Sequence, residues 1–273
     1  MLSHYLKISL RTMRRQRLHT LVTVVGLSIS MACSVLIGVY IYGHLRFDRG
    51  FAGQDRIYRQ TFVSKTGQRR PVGPAALAPH LARLPQVERV TRVLFPGGST
   101  VLVESDSVRH YESRLLRVDA HFFGVFRFPF AAGQPGTALL RPDGIVLSQR
   151  ACRRYFGDAA PLGRRLVLNK QYAFTVTGVI DTAFPTHLDA DLILPLVPAQ
   201  LRAWDYWQTT LYVKVRAGTH VARLERQLYD LVQRRSGKAF IPLWKDFRYV
   251  LQPLAQVHLT PGLENDNHKA LAR

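Results

Sequence analysis

Acidic residues are scarce in this chain: 18 aspartates and glutamates stand against 38 lysines and arginines, a formal net charge of +20 over 273 residues. Lysine is scarce too, with seven against 31 arginines. The excess therefore reads either as a surface for anionic headgroups and acidic polymers or as an arginine-rich composition with no binding role. Two cysteines, Cys33 and Cys152, are too few for a disulfide framework or a paired-cysteine zinc site. Gly237-Lys238 is followed by Ala239 and has no second glycine at phosphate-loop spacing, so that route to nucleotide binding is excluded. Neither a GxSxG elbow nor an HExxH helix occurs, and no chemistry of those kinds is expected. The longest absence is of charge: from Leu18 to Leu45 there is no Lys, Arg, Asp or Glu.

That stretch organises the rest. Its apolar heart, Leu21 to Tyr42, would extend about 33 Å as a helix, enough to cross a hydrocarbon layer of about 30 Å. Thr23, Ser28, Ser30 and Ser34 can bond to carbonyls one turn back, so they do not prevent insertion. Gly26, Ser30 and Ser34 are spaced to seat another helix or are scattered by chance. The run is too long for the apolar part of a cleaved signal peptide, and Tyr40 and Tyr42 suit a membrane interface. Lys7, Arg11, Arg14, Arg15 and Arg17 precede it without an acid, which places the N-terminus in the cytoplasm and the remainder outside. A second crossing is not expected, since the best later run, Ala190 to Pro198, is short and carries Asp191. On that topology nucleic acid is not an expected partner.

The outer part alternates between strand and helix patterns. Ile57 to Val63 and Val87 to Phe95 read as strands on either side of a short helix, Pro79 to Leu84. Val101 to Val103 and Val108 to Val118 suggest a hairpin around Ser105-Asp106-Ser107. His121 to Phe130 is the most aromatic run and is expected in a core. Ser148 and Gly157 bracket a helix with Ala151, Cys152, Tyr155 and Phe156 on one face, which makes Cys152 a packing residue. Tyr172 to Ile180 and Thr210 to Val215 alternate as half-buried strands. Val221, Leu224, Leu228, Leu231 and Val232 stripe a helix ended by Ser236-Gly237, and Tyr249 to Leu254 is again a strand. The expected fold class is α+β: one N-terminal transmembrane helix, then two βαβ-type units with an inserted β-rich subdomain. His187, Asp189 and Asp191 would share one face of an extended segment, as a solvated edge or as metal ligands; no metal site is predicted.

Several motifs in order resemble one family. LKISLRTMRRQR precedes the span; Phe47-Asp48-Arg49-Gly50-Phe51 and Asp55-Arg56-Ile57-Tyr58-Arg59 follow it. Further on come Val146-Leu-Ser-Gln-Arg, Tyr155-Phe-Gly-Asp, Pro161-Leu-Gly, Phe174-Thr-Val-Thr-Gly-Val-Ile and His187-Leu-Asp-Ala-Asp, then Leu251-Gln-Pro-Leu-Ala-Gln-Val-His-Leu. Together they resemble the MacB/FtsX-like ABC transporter permeases, over essentially the whole chain.

The resemblance implies a bacterial inner-membrane permease subunit that passes ATP-driven motion to the periplasm for export or envelope work, without catalysis of its own. ATP would sit on a separate cytoplasmic ABC ATPase; no cofactor is expected here. A second permease chain, membrane lipid and a periplasmic protein are the other implied partners. The implied organisation is a cytoplasmic amphipathic segment (1–17), the span (18–45), a porter-like subdomain (46–118 and 205–260) and an inserted β-rich subdomain (119–204). A tail (261–273) leads towards a second span outside these 273 residues. The junction residues Phe47, Asp48, Arg49, Phe51, Asp55, Arg56, Tyr58 and Arg59 are the candidates for a lever. The alternative is a single-pass adaptor whose basic outer domain binds envelope components.

Overall fold

The computed structural model describes residues 11, 15–64, 67–97, 100–105, 108–182, 184–197, 201–202, 204, 206–235, 248–260 and 263. The expected cytoplasmic segment, the helix stop at 236–237 and the tail lie almost wholly outside these. The chain forms two units, residues 1–46 and 47–273.

In the first unit, helix α1 (Arg17–Leu45) runs 29 residues with none buried, and its most apolar window has a mean hydropathy of 2.2. Apolar side chains face outward around its whole circumference, the pattern of a helix solvated by lipid. The hydroxyls of Thr23, Ser30 and Ser34 each donate at 2.9 Å to the carbonyl four residues back, on His19, Gly26 and Ser30. This internal satisfaction is what makes polar residues tolerable in hydrocarbon.

The second unit is built on strands β1 (Ile57–Val63), β2 (Arg69–Arg70), β3 (Val87–Leu94), β4 (Val101–Glu104), β5 (Arg109–Glu112), β6 (Leu115–Val118) and β7 (Phe130–Gly133). Strands β8 (Gly144–Ser148), β9 (Arg165–Leu168), β10 (Tyr172–Ile180), β11 (Leu192–Pro195), β12 (Thr210–Val215) and β13 (Arg248–Pro253) complete it. Its helices are α2 (Leu77–Leu81), α3 (Phe122–Val125), α4 (Gln149–Phe156), α5 (Val221–Arg235) and α6 (Leu254–Val257). Among the described residues the sheet runs β13-β1-β12-β3-β6-β11-β8-β10-β9-β4-β5, with β2 on β1 and β7 on β10.

The first four strands of that order, all antiparallel neighbours, come from β1-α2-β3 and β12-α5-β13 interleaved, a split βαβ arrangement. Both helices cover one face, where Leu77, Leu81, Leu224, Leu228 and Val232 pack on Phe62, Leu211 and Val213. Everything between β3 and β12 is the insertion. It therefore begins after Leu94 and not at residue 119, because β4 pairs with β9 and β6 with β11 deep in the inserted strands. The expected hairpin is also shorter: Val101–Glu104 pairs with Arg109–Glu112, while Leu115–Val118 leaves to bridge β3 and β11. Helix α2 starts at Leu77, ahead of the expected Pro79, since a proline is accommodated in a first helical turn.

Helix α4 packs on the inserted strands, with Ala151 and Tyr155 against Ile145, Leu147 and Leu166. Ser148 caps it, accepting from Ala151 N at 3.0 Å, and Gly157 closes it at φ 59°. Cys152 is half-buried in that layer, where burial pushes its thiol pKa up. Between the two halves lies an aromatic core of Phe51, Phe122, Phe123, Phe126, Phe128 and Tyr212. The alternation of β10 breaks here: Phe174 and Val176 face the α4 layer, but Ile180 joins the aromatic core after a register shift beyond Val176. Strand β12 is buried on both faces and not half-exposed, because Leu211 and Val213 pack under the α2–α5 layer while Tyr212 joins the aromatic core on the other side.

Candidate functional site: the junction segment

The second unit starts at Phe47, one residue past the C-cap of α1 at Arg46, with no spacer in the sequence. Residues 46–50 form a turn and Gln54–Arg56 a single 3₁₀ turn leading into β1. Each candidate residue from the sequence has a definite place in this segment.

Asp48 is fully buried and adopts a left-handed backbone conformation, φ 61°, which aspartate tolerates better than most residues. Its amide donates to the Pro185 carbonyl at 2.9 Å. Its carboxylate accepts from Thr186 Oγ1 at 2.6 Å and from the His187 amide at 3.1 Å, and Oδ2 meets His187 Nδ1 at 2.8 Å. On the far side of the imidazole, Nε2 lies 2.6 Å from the Tyr212 hydroxyl on β12. Burial by itself would raise the Asp48 pKa, but the charge and hydrogen bonds of His187, with the Thr186 hydroxyl, hold it below the ordinary carboxylate value. The result is a closed polar chain from the junction to the middle of the sheet.

The neighbouring anchors are aromatic. Phe47, half-buried, stacks on His258 with centroids 3.6 Å apart and an interplanar angle of 11°. Phe51 enters the core edge-on to Phe126, Phe128 and Phe184 at 4.8–5.1 Å. Gly50 has the Phe184 ring directly over its Cα; a Cβ there would lie 2.3 Å from that ring, so the turn needs glycine. Farther along, Arg56 donates to Glu88 at 2.8 Å, Tyr58 packs on the α2–α5 layer, and buried Arg59 donates to Gln252 Oε1 through Nε at 3.1 Å and Nη2 at 2.9 Å. Gln252 in turn donates to the Gln256 carbonyl at 3.2 Å and to Thr260 at 2.8 Å. Arg49 and Asp55 are exposed.

The structure thus joins Phe47, Asp48 and Phe51 in one anchor and ties Arg59 to β13. Arg49 and Asp55 take no part in either. Sequence reading missed Thr186, His187 and Tyr212 on the receiving side. The segment carrying His187, Asp189 and Asp191 is a turn and not an extended run, which separates the three. His187 turns inward, while Asp189 pairs with Arg114 and Arg150, and buried Asp191 accepts from Ser148 Oγ at 2.6 Å and Arg150 at 2.9 Å. Among the described residues no group of three metal-ligating side chains converges.

A helix long and apolar enough to cross a membrane is followed in sequence by a split βαβ sheet with a β-rich insertion. Residues 20–231 match the MacB-like periplasmic core domain, and the chain belongs to that family, a component of ABC-type transporter permeases. Three solved structures share the fold. A domain described as part of a permease protein from Porphyromonas gingivalis superposes with a TM-score of 0.63 at 23% identity, covering 78% of this chain and 94% of that one. The periplasmic region of MacB from Actinobacillus actinomycetemcomitans gives 0.50 at 18% identity, over 74% and 91%. The extracellular domain of the noncanonic ABC-type transporter YknZ from Gram-positive bacteria gives 0.51 at 10% identity, over 72% and 99%. No curated protein matches.

Proposed function

We propose that this domain receives motion from its membrane helix and delivers it on the far side of the membrane, driven by ATP hydrolysis on a separate cytoplasmic ATPase. One observation carries the reading: the segment entering the domain is clamped both to the sheet and to the segment leaving it. Phe47 stacks on His258, Arg59 is bound to Gln252 on β13, and Asp48 is held by His187, which is itself bound to Tyr212. A displacement applied at Phe47 then moves the sheet as a body, since no flexible linker absorbs it. The five cations ahead of Leu18 favour a cytoplasmic N-terminus, with the domain in the periplasm. A second permease chain and a periplasmic protein are the partners this role requires.

The test is to lengthen the connection without touching the anchors. In the full-length permease with its ATPase, spin labels at Val35 and Tyr111 should show an ATP-dependent change in separation. A Gly/Ser insertion between Arg46 and Phe47 should leave the domain folded and replace that change with one broad, ATP-insensitive distribution. An ATP response that survives the insertion defeats the lever.

A further inference from the structure

Two residues along β12 from Tyr212, on the same face of the strand, stands Lys214. It is 1% exposed, yet its ammonium makes no hydrogen bond to any described residue, and its nearest carboxylate, Glu88, is 3.8 Å away. That carboxylate is already engaged by Arg56 at 2.8 Å. An ammonium carries three donors, and this one has no acceptor among the described residues closer than Glu88.

The surroundings add cations, not acceptors. Lys214 pairs in register with Arg89 on β3. The ladder shifts at this point, so that Val215 faces Val87 and Glu88 becomes the extra residue of a bulge. Gly53, at φ 73°, lies beneath the two cationic heads: a Cβ there would sit 3.3 Å from Arg56 Nη2 and 3.5 Å from Lys214 Nζ. Arg89 lies against Gly124 at the end of α3, and Arg127 follows that helix. Both Arg89 and Arg127 are exposed, and neither has a carboxylate partner among the described residues. Burial lowers the Lys214 pKa, and against the pull of Glu88 the charges of Arg127, Arg56 and Arg89 lower it further. Four cations meet one carboxylate.

We propose that Lys214, Arg56, Arg89 and Arg127 form a binding site for a phosphate-class oxyanion. The planar guanidiniums offer paired N–H donors to its oxygens from the open side, and Lys214 supplies a point charge from below. An anion there accepts from Lys214 and offsets the repulsion among the four cations. Gly53 follows the end of α1 by only eight residues, which makes phospholipid headgroups one source of the group; dissolved phosphate is the other. The site is independent of the lever reading, since none of its hydrogen bonds belongs to the Asp48 anchor.

The test uses the full chain in an uncharged detergent, with chloride as the background anion. Inorganic phosphate is titrated in one arm, phosphatidylglycerol in a second and phosphatidylcholine in a third, with binding read by native mass spectrometry and thermal melting. Binding in the first arm identifies a free anion as ligand; binding of phosphatidylglycerol in preference to phosphatidylcholine without it identifies a headgroup. Either result should weaken about tenfold or more in a chain carrying Arg89→Gln and Arg127→Gln, two exposed changes that spare the fold. Absence of binding in the first two arms overturns the site, as does equal affinity of phosphatidylcholine or of the double variant. Lys214→Met should lose the phosphate-dependent rise in melting temperature, and a rise that persists overturns the role of that lysine.

Discussion

Tyr212 and Lys214 sit two residues apart on one face of β12, and both are buried. Tyr212 ends a chain in which hydroxyl, imidazole, carboxylate and backbone amide all find partners within 2.6–3.1 Å. Lys214 ends in a space where cations outnumber carboxylates. A satisfied buried network rigidifies what it connects, here the junction to the sheet. A cluster of like charges repels itself unless a counter-charge offsets it. The same strand thus carries an anchor and, two positions on, a member of a cationic cluster.

The sharpest way to break this contrast is to remove the anchor's acid. Asp48→Ala leaves Thr186, the His187 amide and the imidazole without their acceptor and should destabilise the domain by about 3 kcal/mol or more, measured by denaturant unfolding. Acid does the same by protonation. Because the folded pKa of Asp48 is depressed, its contribution is complete above the unfolded value of about 3.9 and disappears as pH falls through the lower folded value. Asp48→Asn should lack that part of the acid loss, and parallel pH curves for the two chains would refute the pairing.

Tyr212→Phe removes only the outer link. It keeps the ring packed on Phe126 and deletes the hydroxyl bonded to His187 Nε2, so a loss of about 1 kcal/mol is expected in the same measurement. The smallest effect, of opposite sign, belongs to the other residue. Lys214→Met deletes an ammonium without hydrogen bonds and should raise stability by about 1 kcal/mol in phosphate-free detergent solution. A comparable loss at both positions would show that the two are not different in kind.

Periodicity made α1, β3, α4, α5 and the strands of β12 and β13 legible, because one buried stripe or alternating face leaves a direct trace in composition. Boundaries that depend on distant partners were not legible. Nothing local to residues 101–118 says that β4 pairs with β9, nor that β6 runs parallel to β11. For the junction, the clustered motifs singled out Phe47, Asp48, Phe51 and Arg59, but also exposed Arg49 and Asp55, which share their neighbourhood in sequence and not in space.

By itself the sequence determined that a charge-free run of membrane length leads into an α+β domain, and that Phe47 to Arg59 connects them. Those properties depend on the order of apolar and charged residues along the chain. Only the tertiary structure decided that Asp48 meets His187, 139 positions away, that the same imidazole meets Tyr212, and that Lys214 lies beside Arg56 and Arg89 from separate segments. Such polar contacts are set by strand register and a single bulge. A tyrosine or lysine on an alternating strand looks the same in sequence whether its face meets water or a buried partner.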